Sequence, residues 1–196
     1  MKLAVIFRGP VRPTPSAVLC KVDALLECLR GHEVVTHLWT WQSPAAAEIV
    51  HRFDHCHLLP EPDESNAFKQ FWTLRQATMD VQADFVIQSR TDILIRIDIN
   101  DWLIPGQYTT IHARGDFPNN PNSEFINDQF GVATPEIMRR TWDYKDEETL
   151  RQFLAAAKRP EDVFQSILDM NTVPVGIAHT SAWDLDKNRH DGYISA

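Results

Sequence analysis

Five consecutive apolar residues, LAVIF at 3–7, give way at once to Arg8, Gly9 and Pro10. A strand with one wet face alternates apolar and polar residues, whereas an unbroken apolar run of strand length is buried on both sides. DFVIQ (84–88) ends in the same abrupt way, on Ser89, Arg90, Thr91 and Asp92. Strand-length and helix-period segments alternate around these two runs. That order implies an α/β chain, a Rossmann-like, mostly parallel sheet with helices on both faces.

The helical segments are marked by caps and stripes. Thr14 is a cap and Pro15 a first-turn residue for a helix carrying Val18, Val22, Leu25, Leu26 and Leu29, with Gly31 as its stop. Ala67, Phe71, Leu74, Thr78 and Val81 form one stripe of a long helix over 66–81. Thr134, Pro135 and Glu136 open a third, a fourth surrounds Leu150, Phe153 and Leu154, and Pro160 to Asp162 open a fifth carrying Val163, Phe164, Ile167 and Leu168. EVVTHLW (33–39), HCHLL (55–59), YTTIHA (108–113), QFGVA (129–133) and VPVGIA (173–178) read as strands, and ILIRI (93–97) as a further strand-like piece after the SRTD elbow. The stretch 114–124 is a loop.

The 196 residues suit one domain over 1–196, and 43% hydrophobic with 23% charged residues is the balance of a folded chain. A net charge of −8 argues against the broad basic surface of a nucleic-acid protein, so any phosphate contact is expected to be local. The apolar run after Lys2 is too short for a signal or a membrane span. Cys20, Cys28 and Cys56 are odd in number and lack CxxC spacing, which points to reduced thiols and a cytoplasmic setting.

In open α/β sheets ligands sit beyond the carboxyl ends of strands. Arg8, Gly9 and Arg12 occupy such a position, where backbone N–H groups and two guanidiniums can hold a phosphate or diphosphate; the alternative is arginines in surface ion pairs. No GxGxxG or GxxxxGK[ST] accompanies them. Ser89, Arg90 and Asp92 leave a buried strand, so their polarity is either exposed at the sheet's edge or satisfied in a cleft. A carboxylate there suits Mg²⁺ or Mn²⁺, or a structural pair with arginine. Asp128 follows the loop and is a candidate to orient or deprotonate an acceptor hydroxyl, or a turn residue. Glu161 falls in a helix's first turn, where the dipole alone favours negative charge. His179 is a candidate metal ligand or a structural histidine. Arg189, with His190 and Asp191, is a candidate to close over a bound nucleotide. The other histidines show no HExxH, and no GxSxG marks a serine nucleophile.

Four segments, LAVIFRGPVR, VVTHLW, ADFVIQSRTDILI and INDQFGVATPEIM followed by PEDVFQSIL, resemble in order and spacing a loose group of polysaccharide-biosynthesis proteins of the GT-A type, including the WavE-like lipopolysaccharide synthesis proteins. The resemblance implies a sugar-nucleotide donor beyond the first strand, with Arg8 and Arg12 near its phosphates. Asp92 stands where the family's metal-binding acidic motif lies, and Asp128 and Glu161 fall on its later acidic positions. Arg90 stands where the first acid of a DxD motif would be.

The expected activity is therefore transfer of a sugar from a nucleoside diphosphate sugar to a glycan or lipid-linked acceptor. Arg8, Gly9, Arg12, Ser89, Arg90 and Arg189 would bind the donor, Asp92 and His179 a Mn²⁺ or Mg²⁺ ion, and Asp128 and Glu161 would serve catalysis. Two rivals remain: a metal-dependent phosphoesterase or nuclease using Asp92, Asp128 and His179, and a nucleotide-sugar-binding module that has lost turnover.

Overall fold

The structure, a computed structural model, describes residues 1–110, 112–114, 124–126 and 128–177. Its strands are β1 (Lys2–Arg8), β2 (Glu33–Trp41), β3 (His55–Leu59), β4 (Phe85–Arg90), β5 (Tyr108–Thr110), β6 (His112–Arg114), β7 (Glu124–Ile126), β8 (Phe130–Ala133) and β9 (Val175–Ile177). Its helices are α1 (Pro15–Cys28), α2 (Pro44–Ile49), α3 (Asn66–Thr78), α4 (Pro135–Trp142), α5 (Glu147–Ala156) and α6 (Pro160–Met170), with 3-10 turns at Val50–Arg52 and Ile99–Trp102.

Seven strands form one sheet in the order β3-β2-β1-β4-β8-β5-β9, and β6 pairs with β7 in a separate ribbon. β1 lies between β2 and β4, parallel to both. Its backbone is satisfied on two sides and its side chains are covered on two faces, which is why no polar residue interrupts LAVIF. Leu3, Val5 and Phe7 enter one core with α1, α2 and Trp102. Ala4 and Ile6 enter the other, with α3, α4 and α6. β4 divides in the same way: Phe85 and Ile87 join the first core, Val86 the second.

The helix starts follow the caps. Thr14 Oγ1 accepts from Ala17 N at 3.2 Å, and Pro15 follows where no N–H is needed. Removing such a cap costs about 1 kcal/mol. Among the described residues no helix is long and apolar enough to cross a membrane.

The sheet is mostly parallel as expected, six strands sharing one direction and β8 running antiparallel to β4 and β5. Two expectations change. ILIRI (93–97) is not a strand: β4 already has β1 and β8 as neighbours, so no ladder position remains beside it. Ile93 and Ile95 instead pack into the first core from an irregular connection. The long helix stops at Thr78, and Val81 is buried beyond its end. The short α2, capped by Ser43, was not anticipated.

Candidate functional site

β1 and β4 are in register at their exits, Arg8 opposite Arg90. Side chains alternate along a strand, so both arginines point to the face shared with Ala4, Ile6 and Val86, the face that α3 covers. α3 is offset from the sheet's end, and a cleft of about 450 Å³ opens there, lined by Arg8, Gly9, Pro10, Arg12, Trp41, Glu61, Asn66, Ala67, Lys69, Gln70, Thr73, Arg90 and Pro160. Asn66, Lys69, Gln70 and Thr73 recur at helical spacing, giving α3 a polar stripe toward the opening. The first N–H groups of a helix have no partner within it, so this end adds partial positive charge to the cleft.

Arg8 is only 3% exposed. Its Nη2 donates to the Asp128 carbonyl at 2.8 Å and its Nε to Gln88 Oε1 at 3.3 Å. Gln88 Nε2 in turn donates to the same carbonyl at 3.1 Å and to the Tyr108 hydroxyl at 3.0 Å. Burial lowers the Arg8 pKa to about 10, with Asp128 opposing and Arg90 adding to the fall. The guanidinium is still charged at neutral pH. Burial likewise drives the Tyr108 hydroxyl well above its usual range. Asp128 is buried, and Gln70 Nε2 donates to its Oδ2.

The SRTD elbow is built differently. Arg90 and Asp92 form a two-bond fork, Nε to Oδ1 at 2.7 Å and Nη2 to Oδ2 at 2.5 Å. Burial works against ionising Asp92, but the fork, then Arg12 and Arg8, outweigh it and hold the carboxyl below its ordinary value. Burial opposes the charge on Arg90 too, and Asp92 more than restores it. Behind the elbow, Lys21 Nζ donates to the Asp92 carbonyl at 3.2 Å. Thr91 ties the elbow to the first loop: its N–H donates to the Arg8 carbonyl at 2.9 Å and its hydroxyl to the Pro10 carbonyl at 2.8 Å. Gly9 makes the turn between them with φ of +104°, a conformation that favours glycine.

Of the expected residues, Arg8, Gly9, Arg12 and Arg90 come together on the cleft. Asp128 lies just behind it through Arg8 and Gln70. Asp92 and Ser89 stand behind Arg90 without lining the opening, and Ser89 is buried, its hydroxyl donating to the Arg90 carbonyl at 3.2 Å. Glu161 neighbours the lining residue Pro160 but does not itself line the cleft. His179 and Arg189 lie outside the described residues. Sequence reasoning missed Lys69, Gln70 and Gln88. The polar stripe of α3 was a readable signal for Lys69 and Gln70, and a glutamine closing an apolar strand was one for Gln88.

The fit to a divalent cation is poor. Both Asp92 oxygens accept from Arg90, an Asp128 oxygen accepts from Gln70, and among the described residues no three His, Cys, Asp or Glu are grouped to hold a metal. Among the described residues, the cleft lining instead carries Arg8, Arg12, Lys69 and Arg90 against one acid, Glu61, which pairs with Lys69 at 2.7 Å.

No protein-family model matches the chain, and no curated protein matches it in sequence. Its fold is similar to that of the galactosyltransferase LgtC, solved in complex with donor and acceptor sugar analogues, with a TM-score of 0.58. The identity is 10%, over 84% of this chain and 70% of that one. The sheet with its reversed β8 and two helical layers is thus GT-A-like.

Proposed function

We propose that the chain is a glycosyltransferase that moves a sugar from a nucleoside diphosphate sugar to a hydroxyl of a glycan or lipid-linked acceptor. The observation that carries this reading is the pair of guanidiniums, Arg8 and Arg90, side by side at the exits of β1 and β4 on the cleft of a GT-A-like sheet. In the reaction the bond between the anomeric carbon and the diphosphate oxygen breaks. One forms to the acceptor oxygen, whose proton departs. Negative charge grows on the leaving diphosphate, and fixed cations already aimed at it stabilise that charge without reorganising.

Arg8, Arg12 and Arg90 hold the diphosphate in this reading, and the Gly9 turn lets backbone approach it closely. Asp128 lies buried just behind the cleft, held by Gln70, and with Glu161 is assigned to the acceptor side. The narrower assignment, to proteins of lipopolysaccharide assembly, rests on the four sequence segments.

Incubation of the purified chain with a panel of nucleotide sugars, with and without simple glycan acceptors, tests the reading by release of nucleoside diphosphate. One donor should be consumed, faster with acceptor. Binding of a donor without turnover across the acceptors would favour a binding module, and binding of none would sink the proposal. The phosphoesterase alternative gains no support, since its two described carboxylates are engaged by Arg90 and Gln70.

A further inference from the structure

The acidic motif implied by the resemblance calls for a metal at Asp92, yet the Asp92 carboxylate is closed by a guanidinium at both oxygens. A fork of this kind is the strongest geometry available to an arginine and a carboxylate. A doubly charged cation arriving there would have to displace Arg90 and then remain beside it and beside Arg8, its ladder neighbour. Asp128 is engaged by Gln70, so it supplies no ready second ligand. Arg12, by contrast, is exposed on the rim of the cleft and has no ion-pair partner among the described residues. Its charge favours the ionised Asp92 and also faces the opening of the cleft.

We propose that the chain binds the diphosphate of its donor without a divalent metal, with Arg8, Arg12 and Arg90 together supplying the positive charge that such an ion would bring. The inference rests on the glycosyl-transfer reading and deepens it. Asp92 is then a positioning residue: it holds the Arg90 guanidinium level with Arg8, and Lys21 holds the Asp92 backbone from behind. The arginines act as planar donors, and their direction toward phosphate oxygens is set by the two strand ends rather than by a mobile ion.

The test is titration calorimetry of the full chain with UDP and with GDP, in EDTA and again in Mn²⁺ or Mg²⁺. For the nucleotide that binds, Kd should agree within about twofold across these buffers, and Arg12→Ala, at an exposed position, should raise it about tenfold or more. Asp92→Asn should leave binding independent of metal. Binding that requires Mn²⁺ or Mg²⁺ and vanishes in EDTA would overturn the inference while leaving glycosyl transfer standing. Failure of both nucleotides to bind in every buffer would overturn both.

Discussion

Where β1, β4 and β8 come together, the sheet presents two faces of opposite chemistry. Toward α1 the end is sealed by aromatic rings: Phe7 stands edge-on to Phe53 at 5.7 Å, and Phe130 edge-on to Trp102 at 5.0 Å. Toward α3 the same strands carry Arg8, Gln88 and Arg90, with the Tyr108 hydroxyl among them. The first face shows that apolar side chains can close this end of the sheet. Replacing a buried charge by a well-packed hydrophobe is often neutral or stabilising, so stability alone does not account for the second face. The proposed binding of a diphosphate in the cleft would account for it.

The sharpest way to break the contrast is Phe7→Ala, which should lower unfolding free energy by about 3–5 kcal/mol in denaturant titration while nucleotide affinity of the folded protein stays unchanged. Gly131→Ala probes the second face. A Cβ there would stand 2.0 Å from the Tyr108 hydroxyl and 2.1 Å from its ring carbon Cζ. Moving that ring should cost about 1–3 kcal/mol by the same measurement, and a variant as stable as the parent would show this face to be loosely packed.

Arg8→Met should have a smaller effect on folding, about 1–2 kcal/mol, because the Asp128 carbonyl keeps its bond from Gln88 and only Gln88 Oε1 is stranded. Nucleoside diphosphate binding should nevertheless fall by more than about tenfold. Equal losses of stability and affinity in both Phe7→Ala and Arg8→Met would erase the distinction between the faces.

A further effect, away from both faces, is one of pH. Burial, with His55 and then His57 nearby, lowers the His37 pKa from 6.5 to about 4, against the pull of Asp54. Below the ordinary value an unfolded chain takes up a proton that folded His37 refuses. Stability should therefore decline as pH falls from 6.5 toward about 4. His37→Gln should flatten that part of the stability profile, and an unchanged slope would refute the assignment.

Much of the scaffold was legible because burial leaves a trace in the order of residues. LAVIF and DFVI read as strands covered on two faces, and Thr14-Pro15 as a helix start, since each depends on neighbours in sequence. Strand direction leaves no such trace: nothing in QFGVA distinguishes β8 running against β4 from running with it. ILIRI misled for a related reason. Its spaced isoleucines report burial in the first core, and burial is not pairing. At the site, the arginines were readable from their place after strands. The pairing of Asp92 with an arginine was open as one of two readings, and the fork from Arg90 realises it. The approach of Gln70 to Asp128 was not legible, because it depends on how side chains at the sheet's end are turned.

Thr91 joins the two strand exits by bonds to both Arg8 and Pro10. The floor of the cleft therefore stands assembled without a ligand, and under the proposed function a diphosphate would not need to order these groups as it binds. Preorganisation of this kind lowers the entropy lost on association. Under that proposal it also couples affinity to a residue that touches no ligand: Thr91→Val would keep the backbone bond to Arg8 but remove the hydroxyl bond that ties Pro10 to the elbow.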